Sequence, residues 1–156
     1  MFEAIMEKIP VGKVQVKLTA PNARPTRAHA TDAGADLRST TDITIYPNEI
    51  KSVGTGVAMK IPDGYVGLVF SRSGMGKHGV TLANSVGVID SEYRGELKVM
   101  LQNFGQDPFQ INIGDRIAQI VLMPIILPEF EQFKDSDEEW NNSSRGTNGF
   151  GSSGIK

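Results

Sequence analysis

The sequence contains no cysteine and only two histidines, His29 and His78. Thiolate metal centres, cysteine nucleophiles and disulfide frameworks are therefore excluded. A histidine-rich zinc or copper site is not expected either, so any metal should be a hard cation with oxygen ligands, such as Mg²⁺. The absence of cysteine is also compatible with a reducing cytoplasm, and we expect a cytoplasmic location.

Net charge and long apolar runs are also scarce. The formal net charge is −2, which leaves no electrostatic footprint for duplex nucleic acid, so we expect no nucleic-acid partner. No apolar run approaches the ~20 residues of a membrane-spanning helix, and residues 1–8 lack the apolar core of a signal peptide. We therefore expect no membrane association, and a length of 156 residues suits one domain.

Short segments in which apolar and polar residues alternate are the dominant pattern in the chain. Predicted strands lie within residues 14–18, 57–61, 64–70 and 97–101. Residues 116–127 are almost continuously apolar, which is typical of a strand buried on both faces, and another subunit could supply part of that burial. Many short strands separated by Gly, Pro, Asn and Asp favour an all-β sandwich or barrel.

The two ends of the chain differ from this pattern. Apolar residues at helical spacing between Phe2 and Ile9 predict a short helix in an N-terminal extension, residues 1–13. Residues 135–156 contain too few large apolar side chains to order themselves, which predicts a flexible C-terminal tail. We therefore expect a β-domain over residues 1–134, followed by this tail.

The end of the tail nevertheless has the composition of a ligand clamp. Arg145 is followed by a single aromatic residue, Phe150, and by a Gly/Ser run over residues 151–154. One cation, one aromatic ring and a Gly/Ser backbone are the groups that a phosphate-and-base clamp needs. We therefore interpret this segment as functional.

Residues 74–79 match the pattern G-x-G-x-x-G of dinucleotide-binding folds. That motif must open a helix within a βαβ unit, whereas strand- and turn-forming residues follow it here, so a dinucleotide fold is not predicted. A tight glycine-rich turn is one alternative. We prefer a loop in which Arg72, Ser73 and backbone N–H groups hold phosphate oxygens.

Residues 86–96 predict a β-hairpin whose turn contains several charged side chains. Asp90 directly follows an apolar Gly-Val-Ile segment, so it should lie where a buried strand leaves the core. A carboxylate at such a place can be held rigidly and partly shielded from water, as a general base needs. We interpret the other acids of this segment, Glu92 and Glu96, as solvated turn residues.

In their order along the chain, these segments resemble the five motifs of the homotrimeric dUTPase family. The matching segments are residues 33–37, 72–76, 87–95, 114–119 and 145–154. The resemblance implies a distorted jelly-roll-like β-barrel, and a homotrimer whose active sites are shared between subunits. It also implies hydrolysis of dUTP to dUMP and pyrophosphate, by Mg²⁺-assisted attack of water on the α-phosphorus.

The resemblance further implies roles for single residues. Asp90 would be the general base and Arg145 a catalytic cation on the outer phosphates, while Tyr93 would pack under the deoxyribose. Asp36 would lie near Mg²⁺ and act through water, because the triphosphate mainly holds the ion. The other implied binding residues face the uracil (Asn84, Gly87, Val88, Ile89, Lys98 and Phe150) or the phosphates (Arg72, Ser73, Gly74, Gln119, Gly151, Ser152 and Ser153).

Two alternatives stay open from the sequence. The dCTP deaminases are related enzymes that share the barrel, but they need a glutamate base where Met100 stands here, and a thioether cannot accept a proton. A non-catalytic jelly-roll module, either structural or ligand-binding, is the second alternative, because a barrel by itself does not imply an activity.

Overall fold

The computed structural model describes residues 12–134, 138–149, 151 and 154. The strands are β1 Gln15–Leu18, β2 Ala35–Arg38, β3 Ile43–Ile45, β4 Ile50–Gly54, β5 Val57–Lys60, β6 Tyr65–Phe70, β7 Val80–Leu82, β8 Gly87–Ile89, β9 Lys98–Asn103, β10 Phe109–Ile111 and β11 Arg116–Pro124. In the described part of the chain, the helical segments are a single turn, α1 Ser73–Gly76, and a 3-10 helix, Glu138–Asn141. The predicted all-β class is confirmed.

All strands pair antiparallel, and the pairing is mostly non-local. One sheet has the order β2-β11-β6-β8 and another the order β4-β9-β7, while β1 pairs with β5 and β10 pairs with β3. The strand β11 comes last in the chain and yet lies between β2 and β6. A central place is expected for the most continuously apolar strand, and this place brings distant segments of the sequence to one edge of the sheet.

The hydrophobic core consists of the inward-facing residues of these strands. On β9, Val99 and Leu101 are buried whereas Lys98 and Met100 are exposed, which is the alternation that a strand geometry imposes. Fully buried members of the core include Leu37, Ile45, Val53, Val57, Val80, Val99, Leu101, Ile111 and Ile117. Each such side chain contributes about 1.5–3 kcal/mol through removal of apolar surface from water, so the core fixes where the polar loops emerge.

The strand β11 is buried over only part of its length in the single chain. Ile117 and Ile120 are buried, but Val121 and Leu122 are half-buried, and Ile126 beyond the strand is 88% exposed. The single chain therefore does not bury the second half of this strand on both faces, and its burial by another subunit stays a prediction. Its apolar side chains lack cover from the described residues of the same chain.

The hairpin predicted over residues 86–96 does not form as a two-stranded unit. The strand β8 pairs with β6, whereas β9 pairs with β4 and β7. Both hydrogen-bonding edges of β9 are occupied by other strands, one by β4 from Gly54↔Lys98 to Ile50↔Gln102 and the other by β7 from Leu82↔Leu101 to Val80↔Asn103. The charged turn therefore connects two sheets. The helix predicted between Phe2 and Ile9 lies outside the described residues.

The chain divides into two compact units, Met1–Ile126 and Leu127–Lys156. In the second unit, the ring of Trp140 lies against that of Phe133, with centroids 4.8 Å apart. The boundary expected after residue 134 stays a prediction. Among the described residues, no helix has the length and apolar character needed to cross a membrane.

Candidate active site

The strand order brings three of the predicted motifs to one edge of the four-stranded sheet. On β11, Gln119 pairs with Asp36 of β2 on one side and with Phe70 of β6 on the other. Arg72 follows the end of β6 and therefore lies at the same edge. Side chains that are distant in sequence can interact here because β2, β11 and β6 are adjacent.

Asp36 joins two arginines at this edge. Its carboxylate accepts a hydrogen bond from Nε of Arg72 at 2.8 Å, and Nη1 of Arg116 lies 3.5 Å from its second oxygen. The side chains of Asp36 and Arg72 are only 15% and 24% exposed, so solvent screens their interaction less than that of a surface ion pair. Nη1 of Arg72 also donates to the carbonyl of Arg116 at 3.3 Å. These contacts hold the Arg72 guanidinium in one orientation, and the cluster of two cations and one carboxylate stays positive.

Gln119 braces the beginning of the glycine-rich loop. Its Nε2 donates to the carbonyl of Ser71 at 3.1 Å, and Gly34 lies so close that a β-carbon there would overlap Oε1 of Gln119. The loop therefore has a fixed origin before it enters α1. Ser73 and Gly74, both exposed, begin that single turn, and the first amides of a helical turn have no partner within it.

Two adjoining cavities lie beside β8 and the turn that follows it. The smaller has a volume of ≈ 120 Å³ and its lining includes Asn84, Gly87, Val88, Ile89, Lys98 and Met100. The larger has a volume of ≈ 240 Å³ and its lining includes Val88, Ile89, Asp90, Tyr93, Glu96 and Lys98. The cavities share Val88, Ile89, Leu97 and Lys98, and together they are called the recess; its lining combines apolar side chains with two carboxylates, a phenol and an amine. The recess thus unites the predicted uracil and sugar residues of the barrel.

Tyr93 is fixed within the turn to which it belongs. Its phenol donates a hydrogen bond to the carbonyl of Glu96 at 3.0 Å, and its N–H donates to the carbonyl of Asp90 at 3.2 Å. A β-carbon on Gly95 would overlap the phenol oxygen and would lie 2.9 Å from ring atom Cε2, so any larger residue here would displace the ring. Tyr93 is 46% exposed, which leaves part of the ring available to a ligand.

Asp90 lies directly after β8, as predicted, but it is exposed in the single chain. Because Ile89 pairs with Gly67, Asp90 leaves the sheet beside the beginning of β6, whereas Arg72 follows the end of the same strand. At about 3.3 Å per strand residue, their backbones lie roughly 20 Å apart. The described residues of the same chain therefore do not shield Asp90 from water as expected. Within one chain, the predicted base is also distant from the arginine cluster.

The described residues near the end of the tail form a turn. Nε of Arg145 donates to the carbonyl of Asn148 at 2.9 Å, and the Arg145 side chain is exposed. Gly146 and Gly151 have φ of 56° and 78°, the left-handed region that favours glycine. The other tail residues predicted to bind substrate, Phe150, Ser152 and Ser153, lie outside the described residues.

The donor set at the arginine cluster bears on the expected Mg²⁺. Within the described ranges, no three side chains of His, Asp or Glu converge to hold a metal ion, and both carboxylate oxygens of Asp36 face arginine nitrogens. A hard divalent cation needs several oxygen ligands, so these side chains do not form a complete cage. An ion that a triphosphate mainly holds, with Asp36 acting through water, stays a prediction.

Two residues of these clusters were not predicted as individual contacts. Arg116 was recognised only as part of the fourth motif, although its side chain pairs with Asp36. Glu96 was interpreted as a solvated turn residue, and this interpretation is wrong: the residue is half-buried and its Oε1 accepts a hydrogen bond from the N–H of Gly56 at 2.9 Å. No local signal identifies Glu96, because its partner is distant in sequence.

Known proteins with similar sequences cover nearly the whole chain. The sequence profile of the dUTPase family matches residues 20–154. The deoxyuridine 5'-triphosphate nucleotidohydrolase of Rhodococcus erythropolis is 48% identical over 134 residues, which are 83% of this chain and 78% of that protein. The protein of the same name from Acinetobacter baumannii is 46% identical over 151 residues, which are 91% of this chain and 98% of that protein.

Solved structures are similar as well. The dUTPase of Staphylococcus bacteriophage 80alpha, solved with dUpNHpp, has a TM-score of 0.83 and 35% identity, over 92% of this chain and 99% of that one. The dUTPase of phage phi11 of S. aureus, described with a structural Mg(II) ion, has a TM-score of 0.74 and 33% identity, over 80% and 99% of the two chains. This similarity confirms the predicted jelly-roll-like fold. The chain belongs to the dUTPase family.

Proposed function

We propose that this protein hydrolyses dUTP to dUMP and pyrophosphate in the cytoplasm, with Asp90 as the general base that activates water for attack on the α-phosphorus. The observation that carries this proposal is the recess, whose lining combines the predicted uracil residues with Tyr93 and Asp90. A nucleoside seated there would present its 5' side to a carboxylate. The curated relatives are named for this reaction, and a placed general base typically contributes about 10²–10⁴ in rate.

The recess accounts for the choice of nucleoside. The backbone near Val88, Ile89 and Lys98, together with Asn84, reads the edge of the uracil. The Tyr93 ring packs under the deoxyribose, where the 2′-hydroxyl of a ribonucleotide would collide with it. Because the phenol is tied down and Gly95 leaves it no room to retreat, the collision cannot be relieved cheaply, and UTP is rejected.

The arginine cluster accounts for the phosphates. A triphosphate carries about four negative charges near neutral pH, which cationic groups must offset. Arg72, with the hydroxyl of Ser73 and the amides that begin α1, binds phosphate oxygens, and Gln119 keeps this loop in register or contacts a phosphate with its remaining amide proton. Asp36 holds Arg72 in place, so the guanidinium is preorganised for the charge that develops in the transition state.

Mg²⁺ is the cofactor that we propose. The triphosphate mainly holds the ion, and Asp36 contacts it through water. When bound, the ion neutralises phosphate charge and polarises phosphoryl oxygens. A mutant of a related dUTPase, that of phage phi11, is described with a structural Mg(II) ion, and a carboxylate whose two oxygens face guanidinium groups suits indirect contact better than direct ligation.

A homotrimer with shared active sites would explain the distribution of these residues. Asp90 and Arg72 of one chain lie at opposite ends of β6, roughly 20 Å apart, so both act on one triphosphate only if a second chain supplies one of them. The second half of β11 and the following residues expose apolar side chains that include Met123, Ile125 and Ile126. Burial of such a strip between subunits is the usual way to stabilise an oligomer.

The tail completes the site in this proposal. We take residues 135–156 as a segment beyond the β-domain of residues 1–134. Arg145 offsets charge on the outer phosphates, Phe150 covers the uracil, and the Gly/Ser run of residues 151–154 supplies amides and hydroxyls. An arginine that completes a nucleotide-hydrolysing site can contribute about 10³–10⁵ in rate.

The test is pyrophosphate release from dUTP, compared with dTTP, dCTP and UTP, each with Mg²⁺ and with EDTA. We expect fast release from dUTP alone, abolished by EDTA, and deamination of dCTP would instead favour the deaminase alternative. Asp90→Asn should keep dUTP binding and lower kcat by about 10²–10⁴, whereas Glu92→Gln, which removes a charge from an exposed residue of the same turn, should leave kcat unchanged. Equal kcat for Asp90→Asn and the parent protein would remove Asp90 from the base role.

A further inference from the structure

We propose that Glu96 is a positioning residue that sets discrimination between deoxyribo- and ribonucleotides by holding the backbone to which Tyr93 is attached. The inference rests on the proposed function of Tyr93 and adds a residue to it. Glu96 lies beyond the turn, lines the larger cavity together with Tyr93, and connects that cavity to the bend between β4 and β5.

The side chain of Glu96 is held at a rigid place. Its Oε1 accepts a hydrogen bond from the N–H of Gly56 at 2.9 Å. Gly56 has φ of 68°, and a β-carbon there would lie 2.9 Å from Cβ of Ala20 and 3.0 Å from Cβ of Ala23. A β-carbon on Gly54 would lie 2.7 Å from Oε1 of Glu96 itself. The bend is therefore shaped around the carboxylate, and the N–H that it binds has little freedom to move.

Two neighbouring hydrogen bonds hold the backbone of the next residue, Leu97. Oγ1 of the buried Thr55 donates to the carbonyl of Leu97 at 2.6 Å, and the N–H of Leu97 donates to the carbonyl of Val57 at 2.7 Å. The chain is thus anchored in the core at Leu97. One residue earlier, Glu96 is held through its own side chain, so this carboxylate is the last anchor before the turn begins.

The main-chain carbonyl of Glu96 connects this anchored backbone to the sugar pocket. It accepts the hydrogen bond from the Tyr93 phenol at 3.0 Å, and Gly95 leaves no space between the ring and the backbone. The carbonyl shares a peptide plane with the Leu97 N–H, which Val57 holds, so release of Gly56 by the Glu96 side chain frees the backbone that precedes this plane, including Gly95, against which the ring packs. A ring that can shift makes room for a 2′-hydroxyl, so the steric barrier against ribonucleotides weakens.

The kinetic test compares kcat/KM for dUTP and for UTP in the parent protein and four variants. Glu96→Ala should lower the dUTP/UTP ratio on the order of tenfold, the scale on which one steric group in a pocket discriminates. Glu96→Gln keeps a side-chain oxygen that can accept from Gly56 and should restore most of the ratio. Glu92→Ala removes the same group from the exposed turn and should not change it. Tyr93→Ala defines the ratio expected when the ring is absent.

A second measurement does not depend on turnover. Hydrogen exchange at the Gly56 amide should accelerate in Glu96→Ala and stay slow in Glu96→Gln, and calorimetry should show the dUMP/UMP affinity ratio falling in Glu96→Ala but not in Glu96→Gln. If the parent protein fails to hydrolyse dUTP, the proposed function fails, while exchange and nucleotide binding still decide the role of Glu96. The inference would be overturned if a folded Glu96→Ala protein showed faster hydrogen exchange at the Gly56 amide but an unchanged dUTP/UTP or dUMP/UMP ratio.

Discussion

Two inactive variants should restore each other's activity if active sites are shared between chains. Asp90→Asn removes the proposed base and keeps the arginine cluster, whereas Arg72→Ala removes the phosphate-binding arginine and keeps the base. If sites are shared between chains, the roughly 20 Å between these residues along β6 assigns the two residues of one chain to different sites. A site of a mixed oligomer that takes Asp90 from one variant and Arg72 from the other contains both native groups.

The expected recovery follows from the statistics of mixing. When the two variants are unfolded together and refolded at equal concentration, each chain position is filled by either variant with equal chance. A site that needs two named chains is therefore intact in about one quarter of cases. We expect pyrophosphate release from dUTP to reach about one quarter of the parent activity per site, because an intact site is not affected by substitutions elsewhere in the oligomer.

The control places both substitutions on one chain and mixes it with parent protein. Shared sites again predict about one quarter of the parent activity, because both contributing chains must then be parental. Sites contained within single chains would give about one half in this control and no recovery from the two single variants. That pair of results would refute the reasoning from the strand register, provided that size-exclusion chromatography shows mixed oligomers.

Two further predictions concern the arginine cluster and the tail. Asp36→Asn should leave the fold intact but release Arg72 and Arg116. We therefore expect kcat/KM for dUTP to fall by about 10²-fold, the scale of a misplaced contact. An unchanged kcat/KM in steady-state assays would remove Asp36 from the positioning role. Truncation after Lys134 should give a protein with unchanged oligomeric state and thermal unfolding midpoint, but with turnover lowered by about 10³-fold or more through loss of Arg145; full turnover would show that the tail is dispensable.

Much of the fold class could be predicted from the sequence because strand signals are local. Alternation between apolar and polar residues identified the segments that became β1, β5, β6 and β9, and it is imposed by a backbone that points successive side chains to opposite faces. The prediction of a hairpin at residues 86–96 was wrong because strand pairing, unlike strand formation, is not a local property. A local pattern shows that a strand forms, but the partner of the strand depends on every other edge that the folded chain offers.

The candidate site divides in the same way. Asp90 could be selected as a candidate because it follows an apolar strand directly, and the glycine-rich loop because its composition is unusual; their roles stay predictions. The bond between Glu96 and Gly56, and the pairing of Asp36 with Arg116, could not be identified. Each joins segments that are far apart along the chain, and nothing in the residues around either partner indicates the other.

The sequence by itself determined which segments become strands, the order of the five motifs, and the chemistry available to them: one carboxylate at a strand exit, two arginines, and a tail with a cation and an aromatic ring. The tertiary structure alone decided which of these meet. Because β11 lies between β2 and β6, Asp36 and Arg72 share an edge, and because β8 runs antiparallel to β6, Asp90 leaves at the other end. Strand pairing depends on long-range packing and hydrogen bonding, and no local propensity encodes it.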